Sequence, residues 1–426
     1  MRPVFRLRAP PARSILLVVA GILVSAVFGA TVESGVNQDT KTATIVASTP
    51  EPERFHVDGG AIIDRRNGLP MFLRGVGYSP FLPGETPRYG TSPGDDERYV
   101  QHFGRFQALG VNYIHVFPPR MPLGFFAELD KTDLVYGQDI WIPPNEADLL
   151  DADFFARTME HITSVIDHTY TVGLPDRLLL FSVGDEISAW SVIQTDRRHP
   201  EVTDYTGKHL HVTGRTATEV ALARLIDAAM DYELTRYGQR HLYCHTSWTH
   251  IGPVADRSDL EVPRSSVVMP DFGDLICLNV YTYARGVATS SPGSVTGTPY
   301  QGYLEDLTEL TAKPVLITQI GLSTSPTAPK PHAPGWGGHR VDAVPDVLRN
   351  VWRDLRTAKG RERIAGMVLF ALHDEWWKFS GAAEDARYQH ASDPEEWFGL
   401  YAIDEQKRLV PKGEIPSTVR SLFMQP

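Results

Sequence analysis

The chain has 426 residues, 42% hydrophobic and 22% charged, with a formal net charge of -11 at pH 7. This composition excludes a disordered or fibrous chain and gives ample length for a large core, either in two or three domains or in one barrel with insertions. The acidic balance argues against nucleic acid or anionic lipid as a partner of the folded part and suits a neutral or cationic one.

Residues 1–30 open with Arg2, Arg6, Arg8 and Arg13 and no acid, then run uncharged through SILLVVAGILVSAVFGA. A basic n-region before an apolar h-region is the pattern of a signal peptide, with a small-residue cleavage site at Val24-Ser25-Ala26. The stretch Ile15 to Val32 also suffices to cross a bilayer, with the arginines holding the N-terminus inside, so an uncleaved anchor fits equally. Either way the remainder is expected to be exported: secreted, periplasmic or held at the outer face, touching the membrane only through this segment. Residues 31–54, polar and rich in Pro, Thr and Ser, read as a linker. Residues 55–426 show no second linker and no solenoid repeat, and are expected to form one domain.

That domain begins with FHVDGGAIIDRRNGLP, which predicts a hairpin turning at Arg66-Asn67-Gly68. Eight apolar, β-branched runs come next: MFLRGVG (71–77), NYIHVF (112–117), LVYGQDIWI (134–142), LLLFSVGDEI (178–187), LYCHTSW (242–248), LICLNVY (275–281), PVLITQIG (314–321) and GMVLFALHDEWW (366–377). Amphipathic segments such as DFFARTMEHITSVIDHTY and VPDVLRNVWRDLRTA separate them. Continuous apolar strands alternating with helices imply parallel strands buried on both faces. Eight such units predict an α/β fold of the (β/α)₈ TIM barrel type, with the hairpin plugging its N-terminal face. An open doubly wound sheet is the alternative, but no glycine-rich phosphate loop succeeds the first run.

In such a barrel the chemistry lies at the C-terminal strand ends. The polar residues there are Arg74 and Tyr78, His115, Asp139 and Trp141, Asp185 and Glu186, His245 and Trp248, Asn279 and Tyr281, Gln319, and His373, Asp374, Glu375 and Trp376. The set is rich in carboxylates, imidazoles and aromatic rings, and it lacks a serine elbow. Glycoside cleavage needs a proton donor and an anion flanking the anomeric carbon, with aromatic faces to stack the sugar. Glu186, ending the fourth apolar run, suits the donor, because partial burial keeps a carboxyl protonated near neutrality. A helix-capping or arginine-paired carboxylate is its structural alternative. Cys244 and Cys277 lie in apolar runs and read as core thiols, or else as a single bridge between strands. His209, His211, His241 and His250 scatter over loops with no HxxxH or CxxC spacing, so no metal or organic cofactor is called for.

LLLFSVGDEISAW resembles the strand-four motif of the clan A glycoside hydrolases, where Asn-Glu presents the acid/base, and PVLITQIGLSTSP resembles their strand-seven motif, where Glu is the nucleophile. FLRGVGYSPF, LGVNYIHVF and LNVY fall where strands one, two and six of such enzymes fall. FALHDEWWK with PEEWFGL resembles the strand-eight region near the glucanosyltransferase and β-glucuronidase-like branches. The resemblance covers nearly all of 55–426. It implies an extracytoplasmic oligo- or polysaccharide as substrate, Trp376 as a floor for the sugar, and Tyr281 beside the nucleophile place.

Three positions depart from the family pattern: Asp185 stands for the family's asparagine, His115 for its strand-two arginine, and Gln319 for its nucleophile. A neutral amide cannot attack the sugar as a carboxylate does. The departures leave three readings. In the first, roles are reassigned: Glu186 stays the acid while Asp185, Asp374 or Glu375 positions water, giving an inverting hydrolase or a transglycosylase, with Asp185 and His115 coupled as carboxylate and imidazole. In the second, the barrel is a non-catalytic glycan receptor. In the third, Gln319 only hydrogen-bonds the substrate, for example an N-acetyl group that itself attacks. Across these readings Glu186, Asp185, Gln319 and Glu375 are the expected catalytic set. His115, His245, Tyr281, Asn279, Trp376, Asp374, Trp141 and Tyr78 are the expected sugar-binding set. The loops 196–220, 290–303 and 323–340 are expected on the active face as lids or cleft walls, and Asp393 to Glu396 as an acidic rim.

Overall fold

The computed structural model describes residues 54–425 apart from 88–93, 95–96, 255–259, 291, 294, 328–336 and 379–385. The leader or anchor, and all but the last residue of the linker, lie outside the described residues. Pro50–Pro426 forms one unit.

All eight apolar runs become strands of one closed barrel: β1 Leu73–Tyr78, β2 Tyr113–Val116, β3 Val135–Ile140, β4 Leu178–Asp185, β5 Leu242–Trp248, β6 Ile276–Asn279, β7 Val315–Ile320 and β8 Ile364–Leu369. Each pairs in parallel with its neighbours in chain order, and β8 closes on β1 through Gly366 to Leu369 against Leu73 to Val76. Parallel strands need crossovers, and helices supply them. Ala152–Thr171 buries Phe154, Thr158, Ile162, Val165, Ile166 and Thr169, a three-to-four residue spacing that defines one face. Ala217–Tyr237 starts on a capping box in which Thr216 and Glu219 satisfy each other's backbone N–H.

The expected N-terminal hairpin is a three-stranded antiparallel meander, Phe55–Asp58, Ala61–Asp64 and Leu69–Met71. Gly59-Gly60 makes its first turn, which was not expected from the sequence, with Gly59 at a φ of 55°. Phe55 and Ile62 pack with Leu73, Tyr113, Leu179, Cys244 and Leu316 near the beginnings of the strands, so the meander covers that end of the barrel. Cys244 and Cys277 are both free and buried, which sets aside the bridge. Among the described residues no helix is long and apolar enough to cross a membrane.

Two irregularities in the barrel decide which side chains reach its mouth. Between β4 and β5, Cys244 pairs with Ser182 but Thr246 pairs with Asp185, so β4 holds one extra residue. Between β6 and β7, Leu278 pairs with Ile317 but Asn279 pairs with Gln319, so β7 does too. Strict alternation would have turned Asp185 and Gln319 outward. A bulge shifts the phase by one and turns both inward.

Candidate active site

The two bulges and the in-phase Asn279 bring three strand ends together. Asn279 Nδ2 donates to Asp185 Oδ1 (3.0 Å) and to Glu186 Oε1 (2.8 Å). Gln319 Nε2 donates to Asp185 Oδ2 (2.9 Å), and Tyr281 OH donates to Gln319 Oε1 (2.8 Å). Thr318 Oγ1 donates to Asn279 Oδ1 (2.8 Å), which fixes the Asn279 amide with its N–H groups toward the two carboxylates. The tips of β4 and β7 thus meet across one site, with an acid on one side and an amide on the other.

Glu186 comes directly after β4 and adopts a left-handed backbone with a φ of 51°. Non-glycine residues rarely occupy this region, and where they do the surrounding structure holds them. Here the Glu186 N–H donates to Thr246 O (3.1 Å), and Gly184 before it also has a positive φ, 77°. Consecutive carboxylates, which a strand would send to opposite faces, therefore share one cleft.

The cleft has a volume of about 470 Å³. Asp185, Glu186, Asn279, Tyr281 and Gln319 lie at its base, Trp141, Trp248, His250 and Tyr283 form aromatic walls, and Glu261, Lys378 and Glu395 complete the lining. Burial raises the Glu186 carboxyl above its ordinary range, against the pull of Asn279 and Lys378. Burial also pushes Asp185 well up, and the neighbouring Asp139 and Glu186 add to the effect. The two carboxyl groups share one amide, and burial shifts both toward the protonated form. Burial works to lower Lys378, but Glu375, Glu395, Glu186 and Asp185 outweigh it and keep the ammonium charged. That ammonium lies 3.6 Å from Glu375, 3.7 Å from Glu395 and 4.1 Å from the centre of the Phe370 ring.

Of the expected catalytic and sugar-binding residues, the cleft gathers Trp141, Asp185, Glu186, Asn279, Tyr281 and Gln319, and from the wider set of strand-end residues it also takes Trp248. It does not gather the others, and each has a physical reason. Tyr78 and His245 fall on the outer phase of their strands: Tyr78 bonds His102 (2.7 Å) and stacks on Phe125, while His245 bonds Val183 O (2.9 Å) and stacks on Phe272. His115 is buried, bonded to Tyr113 OH (2.9 Å), and held neutral by burial with a pKa lowered to about 4. It makes no couple with Asp185, whose two oxygens accept from amides. Asp374 is fully buried in an ion pair with Lys412 (2.5 Å) and accepts from Gly399 N and Gln389 Nε2, so it is a structural anchor rather than a sugar contact. Glu375 is buried outside the cleft lining, 3.6 Å from the Lys378 ammonium that does line it. Trp376 packs half-buried against the core.

Glu395 fulfils the acidic-rim expectation in part, since it lines the cleft, while Glu396 is fully buried and bonded to His390 (2.7 Å). The loop after β4 is tied away to a helix: Asp227 accepts from the backbone of His209 (2.7 Å) and Leu210 (2.8 Å). Lys378, Glu261 and His250 were missed as cleft residues. They lie in irregular segments past the strand ends; position beyond a barrel strand was the signal for Glu261 and His250, and for Lys378 so was its place at the end of FALHDEWWK.

Among the described residues no group of three or more metal-ligating side chains is placed to hold a metal ion.

The closed eight-stranded parallel barrel, with Glu186 after β4 and Gln319 on β7, is a (β/α)₈ TIM-barrel fold. The chain superposes on Saccharomyces cerevisiae Gas2 in a compound complex with a TM-score of 0.53 at 14% identity, covering 88% of this chain and 69% of that one. A Glu-to-Gln variant of Gas2p in complex with laminaritetraose and laminaripentaose gives 0.52 at 13%, covering 88% and 68%. A GH2 β-galacturonidase from Eisenbergiella tayi bound to galacturonate gives 0.53 at 13%, covering 87% of this chain and 54% of that one, so the chain spans about half of that enzyme. At these identities the likeness is one of fold. No protein-family model matches the chain, and no curated protein matches it.

Proposed function

We propose that this protein is a glycoside hydrolase or transglycosylase that acts on a glycan outside the cytoplasm, with Glu186 as proton donor and without attack by a β7 carboxylate. The observation that carries the reading is Glu186 itself. It is a carboxyl raised by burial and held in a left-handed backbone conformation that turns it into an aromatic-walled cleft. A general acid needs that combination of a retained proton and access to the leaving oxygen. Trp141, 44% exposed, offers a face on which a sugar ring can stack. The basic and apolar character of residues 1–30 supports export.

The attacking group is then either water or part of the substrate. Water attacking directly, with a second carboxylate as base, inverts the anomeric centre. The experiment is turnover of a glycan panel by the purified protein, with Glu186→Gln abolishing product formation. A second reading, a glycan receptor without chemistry, draws on the neutral Gln319 at the nucleophile place. It requires saturable glycan binding without product, unaffected by Glu186→Gln.

A further inference from the structure

Trp141 lines two hollows. One is the cleft that holds Glu186, and the other is a separate space of about 400 Å³ that shares this residue. Small-molecule sites usually measure roughly 300–1,000 Å³. Trp141, Ile142, Pro143 and Pro144, which come directly after β3, border the second hollow on one side. Phe154, Arg157, Thr158 and His161, all on the helix Ala152–Thr171, border it on the other.

The second hollow is tied to the segment that carries the acid. Pro144 O accepts from Ser188 N (3.0 Å) and from Ser191 Oγ (2.9 Å), and Ser188 stands two residues after Glu186. Ile142 lies against the backbone just before Glu186, since a Cβ on Gly184 would meet its Cδ1 at 3.0 Å. In the barrel β3 adjoins β4 on one side, while Asn279 and Gln319 stand on β6 and β7, beyond its other neighbour. A general acid gives its proton to the leaving oxygen, so the leaving group lies on the side of Glu186. The second hollow is on that side.

Its lining sets what it can take. A further sugar unit would need donors and acceptors for its hydroxyls. Proline has no N–H, and Pro144 O is already engaged. The His161 ring donates to the Trp141 carbonyl. Thr158 is buried, and Arg157 reaches outward to Glu146 at 3.7 Å. What remains is apolar: the Trp141 ring, Ile142, two pyrrolidine rings and Phe154.

Resting on the assignment of Glu186 as acid, we propose that the second hollow is a leaving-group subsite and that the substrate is a glycoside whose leaving group carries an apolar portion, an alkyl chain or an apolar ring. The sugar occupies the cleft, and the apolar portion passes Trp141 and lies against Pro143, Pro144 and Phe154. Trp141 then serves both parts of the substrate and sets the distance between them. Burial of the apolar portion holds the glycosidic oxygen beside Glu186, so it raises kcat/KM for long leaving groups over short ones.

The test uses methyl, butyl and hexyl glycosides of glucose, galactose, mannose and N-acetylglucosamine, in both anomers, with turnover and calorimetric binding measured on the purified protein. All the leaving groups are alkanols of similar acidity, so a trend along the series reports binding rather than intrinsic reactivity. On the sugar that is turned over, kcat/KM should rise about two- to fourfold per methylene, at least about 30-fold from methyl to hexyl. A cyclohexylmethyl glycoside tells whether a ring or a chain fits better. Pro143 is exposed, and Pro143→Asp sets a carboxylate on the apolar wall. It should cut the hexyl-to-methyl ratio at least about tenfold without lowering the melting temperature. A flat series, or a hexyl preference that survives Pro143→Asp, overturns the proposal; Glu186-dependent turnover in a flat series leaves the proposed function standing. If nothing is turned over but hexyl glycosides bind at least about tenfold tighter than methyl ones, the apolar subsite stands and the catalytic reading falls. With neither turnover nor a difference in binding, both fall.

Discussion

Gln319 donates to Asp185 across 2.9 Å, from the tip of β7 to the tip of β4. The pair contains one carboxylate and one amide. A barrel with Asn before its acid and Glu on β7 contains the same two groups in exchanged places.

This exchange predicts a non-additive mutant cycle. Gln319→Glu alone sets a second carboxylate against Asp185 and should destabilise the fold by about 1–3 kcal/mol. Asp185→Asn alone replaces one of the two accepting oxygens by a donor that faces an amide N–H, and should cost a similar amount. The double variant restores one carboxylate–amide bond in reversed direction, and chemical denaturation should find it more stable than the sum of the singles by at least about 1 kcal/mol.

Removing the acid should separate catalysis from stability. Glu186→Gln keeps the shape and relieves the burial of an ionisable group, so its melting temperature should not fall. Its kcat should drop by about 10²–10⁴. In the parent protein, activity should fall on the alkaline side at a pH above the usual carboxylate range, because the raised group must be protonated to work. That limb should vanish in the variant when residual rates are measured against pH.

The bulge in β4 depends on Gly184, whose φ of 77° is a left-handed conformation. Gly184→Ala adds a Cβ about 3.0 Å from Ile142 and 3.2 Å from the His245 ring. The substitution should cost roughly 1–2 kcal/mol in backbone strain. It should also shift Asp185 and Glu186 together, so kcat should fall in a variant that circular dichroism shows to be folded.

His245 is fully buried, and burial lowers its pKa to about 4. The unfolded chain takes up this proton near pH 6.5, and the folded chain does so only near pH 4. The contribution is therefore fully present above pH 6.5 and is lost as the pH falls toward 4, with a slope of about 1.4 kcal/mol per pH unit. His245→Phe should flatten the measured stability profile in that window by about that slope.

Lys412 neutralises the fully buried Asp374, and Lys412→Met would leave an unpaired charge. The loss should be about 3–5 kcal/mol, and replacing Asp374 by Asn in the same chain should recover part of it. Equilibrium unfolding of the single and double variants distinguishes this anchoring role from a role in sugar binding.

The barrel was legible because strands covered on both faces must be apolar throughout, and runs such as LLLFSVGDEI and PVLITQIG have that character. Glu186, Asn279 and Gln319 were legible because polar residues ending such runs stand out. Tyr78 and His245 met the same criterion, but the pleat sends them toward the helices, and a strand end by itself does not encode phase. Bulges re-phased Asp185 and Gln319 and left β5 unshifted at His245, so simple alternation would have misjudged the two residues that matter most. Asp374 could not be assigned locally, because its partner Lys412 lies 38 residues further on. Glu261 carried no run, motif or period, and Lys378, though it ends FALHDEWWK, was given no role there.

The meander caps a barrel whose interior is packed with side chains. Phe55 and Ile62 pack across one end, and the hydrogen-bonded Asn279, Asp185 and Gln319 close the other. Asp139, wholly enclosed and pushed well above the usual carboxylate range by burial, lies below them. Its charge also acts on Asp185 above it, so the ionisation of this enclosed carboxyl and that of the cleft's base depend on each other.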